Sequence, residues 1–235
     1  MSARGADEVA ELFRVMAQLR APTGCPWDRQ QTHRSLLPYL LEETYELIEA
    51  VECGEDAEIA EELGDLLVEV AMHTAIAEDR GAFGIEDVAA GATRKMVARH
   101  PHVFGDAKAD SHEQLLANWD SAKRSEKPER MSALDGIPKA LPALALAASV
   151  QRRAARGRVP RGQDADLLDQ AAKLLRELDA ADAQGAERLV GQLLFLVVEL
   201  ASERGVDSEG ALRRATRKWS SEYRSRERLE PGGAR

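Results

Sequence analysis

Apolar residues return every three to four positions through most of this chain, and proline and glycine cut the pattern into helix-length pieces. Such a period gives each piece one apolar stripe; a strand would need alternation at every second residue. Val9, Leu12, Phe13, Met16 and Leu19 form the first stripe, which Pro22 and Gly24 stop. Leu36, Leu37, Leu40, Leu41, Tyr45, Leu47, Ile48 and Val51 form the second, broken by Gly54. The third directs Leu63, Leu66, Leu67, Val70, Ala71 and Ile76 inward. Helices are therefore predicted over about 6–20, 35–51, 57–78, 86–99 and 112–124. Four more follow, from the proline-entered 138–157 stretch and over about 165–181, 185–204 and 207–229. Pro26 predicts irregular chain between the first two helices, and the His-Pro-His step at 100–102 ends the fourth. Aromatic residues make up only 4% of the chain, so the core must be built from Ala, Leu and Val, which suits close-packed helices. The expected fold class is all-α.

Breakers and charges gather in SEKPERMSALDGIP (125–138), which places a boundary near residue 130. Two domains, 1–130 and 131–235, are expected. They share an internal echo. AEELGDLLVEV (60–70) resembles AERLVGQLLFLVVEL (186–200), Arg-Gly at 80–81 recurs at 204–205, and Ala-Thr-Arg-Lys at 92–95 recurs at 215–218. Order and spacing are kept, as for a duplicated helical unit. Cys25 and Cys53 are too few for a disulfide framework or a four-cysteine zinc site. No apolar run approaches the ~18 residues of a membrane span, and the first twenty residues lack the apolar stretch of a secretory signal. A cytoplasmic protein is expected.

The chain carries 41 acidic and 32 basic residues, a net charge of −9. That balance argues against binding nucleic acid polymers. The distribution of the acids says more. Glu43 and Glu46 stand three apart on the second predicted helix, and Glu62 and Asp65 stand three apart on the third. Each pair therefore shares one helical face. A connection of a few residues makes the two helices antiparallel neighbours, so the pairs can face each other. Like charges at ~4 Å repel by about 4 kcal/mol at an effective dielectric of 20, and a cation relieves this. All-oxygen ligands without nearby cysteine or paired histidine select Mg²⁺, with Mn²⁺ as an alternative.

The stretch Glu-Glu-x-x-Glu at 42–46, followed after 15 residues by Glu-x-x-Asp at 62–65, resembles the all-α nucleoside triphosphate pyrophosphohydrolases, and more narrowly the MazG family. Other stretches carry the same resemblance: CPWD (25–28) with QTH (31–33), PYLLEE (38–43), EELGDLL (61–67), RHPHVFG (99–105), Trp119 with Lys123 ahead of KPER (127–130), and DGIPKALPA (135–143). The resemblance implies hydrolysis of a nucleoside triphosphate to its monophosphate and pyrophosphate with Mg²⁺, and a homodimer. It implies Glu43, Glu46, Glu62 and Asp65 as metal ligands. Glu42 and Glu61 are left as candidates for the general base or for holding an outer-shell water. Lys95, Arg99, Trp119 and Lys123 would meet the substrate, the cations on phosphate and the indole against the base. A role in removing non-standard or oxidised nucleotides follows from the resemblance alone.

The second half departs from this pattern. Leu189 and Gln192 stand where the first half has Glu62 and Asp65, and residues 170–178 carry no Glu-Glu-x-x-Glu. A degenerate, catalytically silent second MazG-like unit is expected. Glu58 occupies a position where some relatives carry lysine. Between Arg213 and Arg228 seven cations outnumber Glu222 and Glu227, which reads as a solvated helix face. The alternative to an enzyme is a helical adaptor binding partner proteins through its repeated units. A di-iron bundle would need two Glu-x-x-His pairs, and His73 follows Glu69 by four.

Overall fold

The computed structural model describes residues 2–107, 111–126, 128–157 and 166–229, and every regular element among them is a helix. Residues 158–164, left between two of the predicted helices, lie outside the described residues. The chain divides into two compact units, residues 1–123 and 124–235. None of the described helices is long and apolar enough to cross a membrane.

In the first unit α1 (Ala3–Arg20) begins at Ser2, whose hydroxyl accepts the Gly5 N–H at 3.1 Å. Pro26, expected to keep its surroundings irregular, instead opens the short α2 (Pro26–Gln30): its fixed φ suits a first helical position, where no N–H is needed. The same applies to Pro101, so the His-Pro-His step ends one helix and starts another, α6 (Pro101–Phe104). α3 (Leu37–Cys53) and α4 (Asp56–Glu78) form an antiparallel hairpin, the most extensive helix pair of the fold. Asp56 and Glu58 in the first turn of α4 complement its positive end. α5 (Ile85–Arg99) and α7 (His112–Ser125) complete the unit.

The turn between α3 and α4 depends on Gly54. Its φ of +83° is left-handed, and its N–H returns to the Ala50 carbonyl at 2.9 Å. A Cβ there would meet no atom within 4 Å, so substitution costs conformation and not space. Gly54→Ala should lower stability by about 1 kcal/mol in a denaturant melt, with little change in folded structure.

Met16, Leu36, Ala71, Met72 and Ile76 form the buried cluster of this unit, backed by Leu12, Phe13, Leu19 and Val68. α1 thus covers the C-terminal half of α4. Another face of α4 stays open: Leu63, Leu67 and Val70, expected inward, are 49%, 40% and 41% exposed. Leu41 and Val51 on α3 are exposed as well. The pattern showed that these positions lie on apolar faces; it could not show that no element of the described chain covers them.

In the second unit α8 (Ala143–Ala155), α9 (Leu167–Asp179), α10 (Ala183–Glu203) and α11 (Ser208–Leu229) pack together, with α10 in contact with each of the others. Leu189, Leu196 and Val198 are buried. Asp166 and Asp182 cap α9 and α10 by accepting N–H bonds from Leu168 and Gly185, each at 2.8 Å. The buried Gln151 amide donates to the Phe195 carbonyl at 2.7 Å, fixing α8 against α10.

Candidate active site

The face of α3 bearing Glu43 meets the face of α4 bearing Glu62 and Asp65. One carboxylate oxygen from each of these three acids lies within 4.8 Å of the other two. Glu46 stands beside them, near enough for its charge to act on both Glu43 and Glu62, though it falls outside that group of three. Glu42 and Glu61 lie on exposed flanks of the same helices. Gly64, between the two acids of α4, is not a point of close helix approach, because an added Cβ would meet nothing within 4 Å.

Electrostatics mark the cluster. The Glu43 carboxyl is pushed above the ordinary carboxylate range, first by burial, then by the charges of Asp65 and Glu46, a hydrogen bond shared with Glu46, and the charge of Glu62. Glu62 is raised in the same way, first by burial, then by Glu46, Asp65, Glu61 and Glu58. A carboxyl raised in the fold works against folding as pH climbs above its unfolded value, because the fold binds the proton more tightly than the unfolded chain. One oxygen of Glu62 is also shielded from solvent without a hydrogen-bond partner. A divalent cation would answer both conditions, supplying the missing partner and the missing charge, so these residues fit one.

The basic residues collect elsewhere. The Arg99 guanidinium lies 5.1 Å from the centre of the Trp119 ring, and the His100 ring meets the same indole edge-on at 5.2 Å. His100 Nδ1 donates to the Met96 carbonyl at 2.7 Å, which fixes its ring at the end of α5. Lys95 is exposed one turn earlier, and Lys123 is half-buried on α7. α5 makes its extensive contact with α6 and not with α3 or α4. Of the expected substrate residues, Arg99 and Trp119 therefore meet, and all four are carried by α5 and α7, helices other than the two that carry the acids. Trp27 stands edge-on to Tyr39 with ring centroids 6.0 Å apart, both well exposed.

In the second unit Leu189 is buried and Arg188 donates to the Gln192 side chain at 3.4 Å. Neither residue offers an anionic ligand.

One feature beside the acids had no sequence signal. His73 is hydrogen bonded through Nδ1 to Nδ1 of His33 at 2.8 Å. Forty residues separate the two in the chain, so no helical spacing relates them.

Comparison with known proteins matches residues 31–104 to the MazG nucleotide pyrophosphohydrolase domain. That span contains all six acids and the Arg-His-Pro-His segment. A nucleoside triphosphate pyrophosphohydrolase/pyrophosphatase MazG of Thermotoga maritima is 42% identical over 221 residues, which cover 93% of this chain and 85% of the relative. A nucleoside triphosphate pyrophosphohydrolase of Escherichia coli is 35% identical over 95% of this chain and 88% of its own length. One of Mycobacterium tuberculosis is 45% identical over 68% of this chain and 48% of its own. With similarity running over nearly the whole of two relatives, and with the acids on facing helices inside the matched domain, this chain belongs to the MazG family of nucleotide pyrophosphohydrolases.

Proposed function

We propose that this protein hydrolyses nucleoside triphosphates to the monophosphate and pyrophosphate at the acid cluster of α3 and α4. The observation that carries the reading is the convergence of Glu43, Glu62 and Asp65, with a shielded and unpartnered Glu62 oxygen, inside the segment shared with the family. Glu43, Glu46, Glu62 and Asp65 would hold Mg²⁺, with Mn²⁺ as the alternative. Bound there, the cation neutralises and orients the triphosphate and makes water a better nucleophile. Water oxygen adds to the α-phosphorus, the bond to the bridging oxygen breaks, and pyrophosphate leaves. The water proton passes to a carboxylate, for which Glu42 and Glu61 are the candidates because neither is needed as a ligand. Lys95, Arg99 and Lys123 would receive phosphate charge and Trp119 the base. Damaged or non-standard nucleotides are the substrates suggested by resemblance.

A homodimer is supported by the open apolar faces of α3 and α4, where Leu41, Val51, Leu63, Leu67 and Val70 stay exposed in one chain. The second unit is proposed to be a silent copy, because Leu189 and Gln192 cannot supply charge where Glu62 and Asp65 do.

Pyrophosphate release from mixed nucleoside triphosphates tests the reading. Release should be lost with a chelator and return with added Mg²⁺ or Mn²⁺. Release that survives chelation, or none with any metal and nucleotide, would reject it; the second outcome favours an adaptor.

A further inference from the structure

The α3–α4 hairpin is closed at one end by its own turn at Gly54. At its other end the chain enters α3 through residues 31–36 and leaves α4 through residues 79–84, with no covalent closure. There the His33 and His73 rings lie nearly in one plane, 10° apart, with centroids 5.1 Å apart and Nδ1 atoms at 2.8 Å. Two ring nitrogens at that separation must share one proton.

The neighbours decide which ring holds it. An Arg80 guanidinium nitrogen stands 2.9 Å from His33 Nε2. Guanidinium can only donate, so that ring nitrogen accepts, and the His33 proton sits on Nδ1. His33 therefore donates to His73 Nδ1, and the His73 proton sits on Nε2. That atom faces a Glu69 carboxylate oxygen at 4.0 Å, and both are shielded without another partner. Glu69 is only 8% exposed. The hydrogen bonds thus run in one direction from the Arg80 cation through His33 to His73, with the Glu69 carboxyl 4.0 Å beyond. Burial, and then the neighbouring His33, push the His73 pKa down, in keeping with a neutral ring.

His33 is held firmly. Thr32 and Ser35 exchange hydrogen bonds, Ser35 Oγ accepting the Thr32 N–H at 2.9 Å and Thr32 Oγ1 accepting the Ser35 N–H at 3.1 Å. Leu36, next in the chain, lies in the core. Arg20 pairs with Asp79 at 2.7 Å and donates to the Gln31 carbonyl at 3.3 Å, tying the exit of α4 and the entry to α3 to α1. The histidine bond thus joins two anchored pieces, the entry of α3 and the body of α4.

We propose that the His33–His73 bond is a latch on the open end of the hairpin that sets the cation affinity of the acid cluster. This rests on the cluster's being a cation site. Repulsion among Glu43, Glu46, Glu62 and Asp65 pushes α3 and α4 apart, while one ion needs ligands from both helices at fixed separation. The Gly54 turn restrains only one side of that site. His73 lies eight residues beyond Asp65, about 12 Å along the helix, too far to ligate an ion held by the acids, so the pair acts as positioning residues.

The test is Mn²⁺ titration of the full chain without nucleotide, followed by electron paramagnetic resonance, with circular dichroism on every variant. His73→Ala puts a strong helix former at a half-buried helical site and should fold. It should weaken Mn²⁺ binding about tenfold, on the scale of one hydrogen bond's net worth. His33→Ala should do the same, the double variant should be no weaker than either single one, and His33→Asn, which keeps a donor, should recover most of the loss. At saturating metal the turnover of His73→Ala should stay close to wild type, with the change confined to the metal requirement. Nitrogen-15 spectra of labelled histidine should show His33 protonated on Nδ1 and His73 on Nε2. Wild-type affinity in folded His73→Ala overturns the proposal, and so does an additive double variant. A wild-type chain that binds no Mn²⁺ rejects instead the cation site on which the proposal rests.

Discussion

Glu62→Gln is expected to cut pyrophosphate release by about a thousandfold or more and, at the same time, to raise the melting temperature of the metal-free protein. The two effects share one cause. In the fold Glu62 sits against the charges of Glu46, Asp65, Glu61 and Glu58, and its carboxyl is raised by burial and by them. At neutral pH the unliganded cluster therefore works against folding, and glutamine removes one of the charges responsible. The same charge is what a divalent ion needs, and a neutral amide cannot replace it. Added Mg²⁺ should stabilise the wild type and leave Glu62→Gln nearly unmoved, because ligand binding to the folded state alone raises stability. Lowering the pH should shrink the stability gap between the two proteins from its neutral value, vanishing once the wild-type cluster is protonated. Activity assays and thermal melts with and without Mg²⁺ measure all of this. A variant that keeps full activity sinks the site assignment, and one that loses activity but melts lower points to a structural role for Glu62.

Leu36→Ala should be the most damaging single truncation for stability, at about 2–5 kcal/mol. Leu36 is 1% exposed and packs with Met16, Ala71, Met72 and Ile76. It also stands at the start of α3, where its carbonyl accepts the Leu40 N–H at 3.0 Å. Truncation opens a cavity among α1, the entry of α3 and the body of α4, whose side chains together form this cluster. Because this joint holds the hairpin, activity should fall before the protein unfolds. Denaturant melts measure the first effect, with Leu41→Ala as control. Leu41 is 57% exposed, and its truncation should change the stability of one chain by no more than about 0.5 kcal/mol. Equal losses in the two variants would mean that the core has been placed wrongly.

The fold class was legible because helical periodicity is local. The stripe from Leu36 to Val51 and the break at Gly54 declare a helix and its end without reference to anything distant. The acid pairs were legible for the same reason: three-residue spacing puts Glu62 and Asp65 on one face in any helix. Prolines misled where their position within an element mattered, since Pro26 and Pro101 begin helices that the pattern had left irregular. Burial misled more. Leu63, Leu67 and Val70 belong to an apolar face, but periodicity cannot tell a face covered by α1 from one that no described helix covers.

By itself, then, the sequence determined the long helices and the charge that each one displays, because neighbours along the chain govern these. Which faces meet was left to the tertiary structure. Packing brought an oxygen of Glu43 within 4.8 Å of those of Glu62 and Asp65, and grouped Arg99 with Trp119 and His100. It also set His33 against His73 across forty residues of chain. A contact of that kind arises from how whole helices pack around Leu36, and no local spacing encodes it.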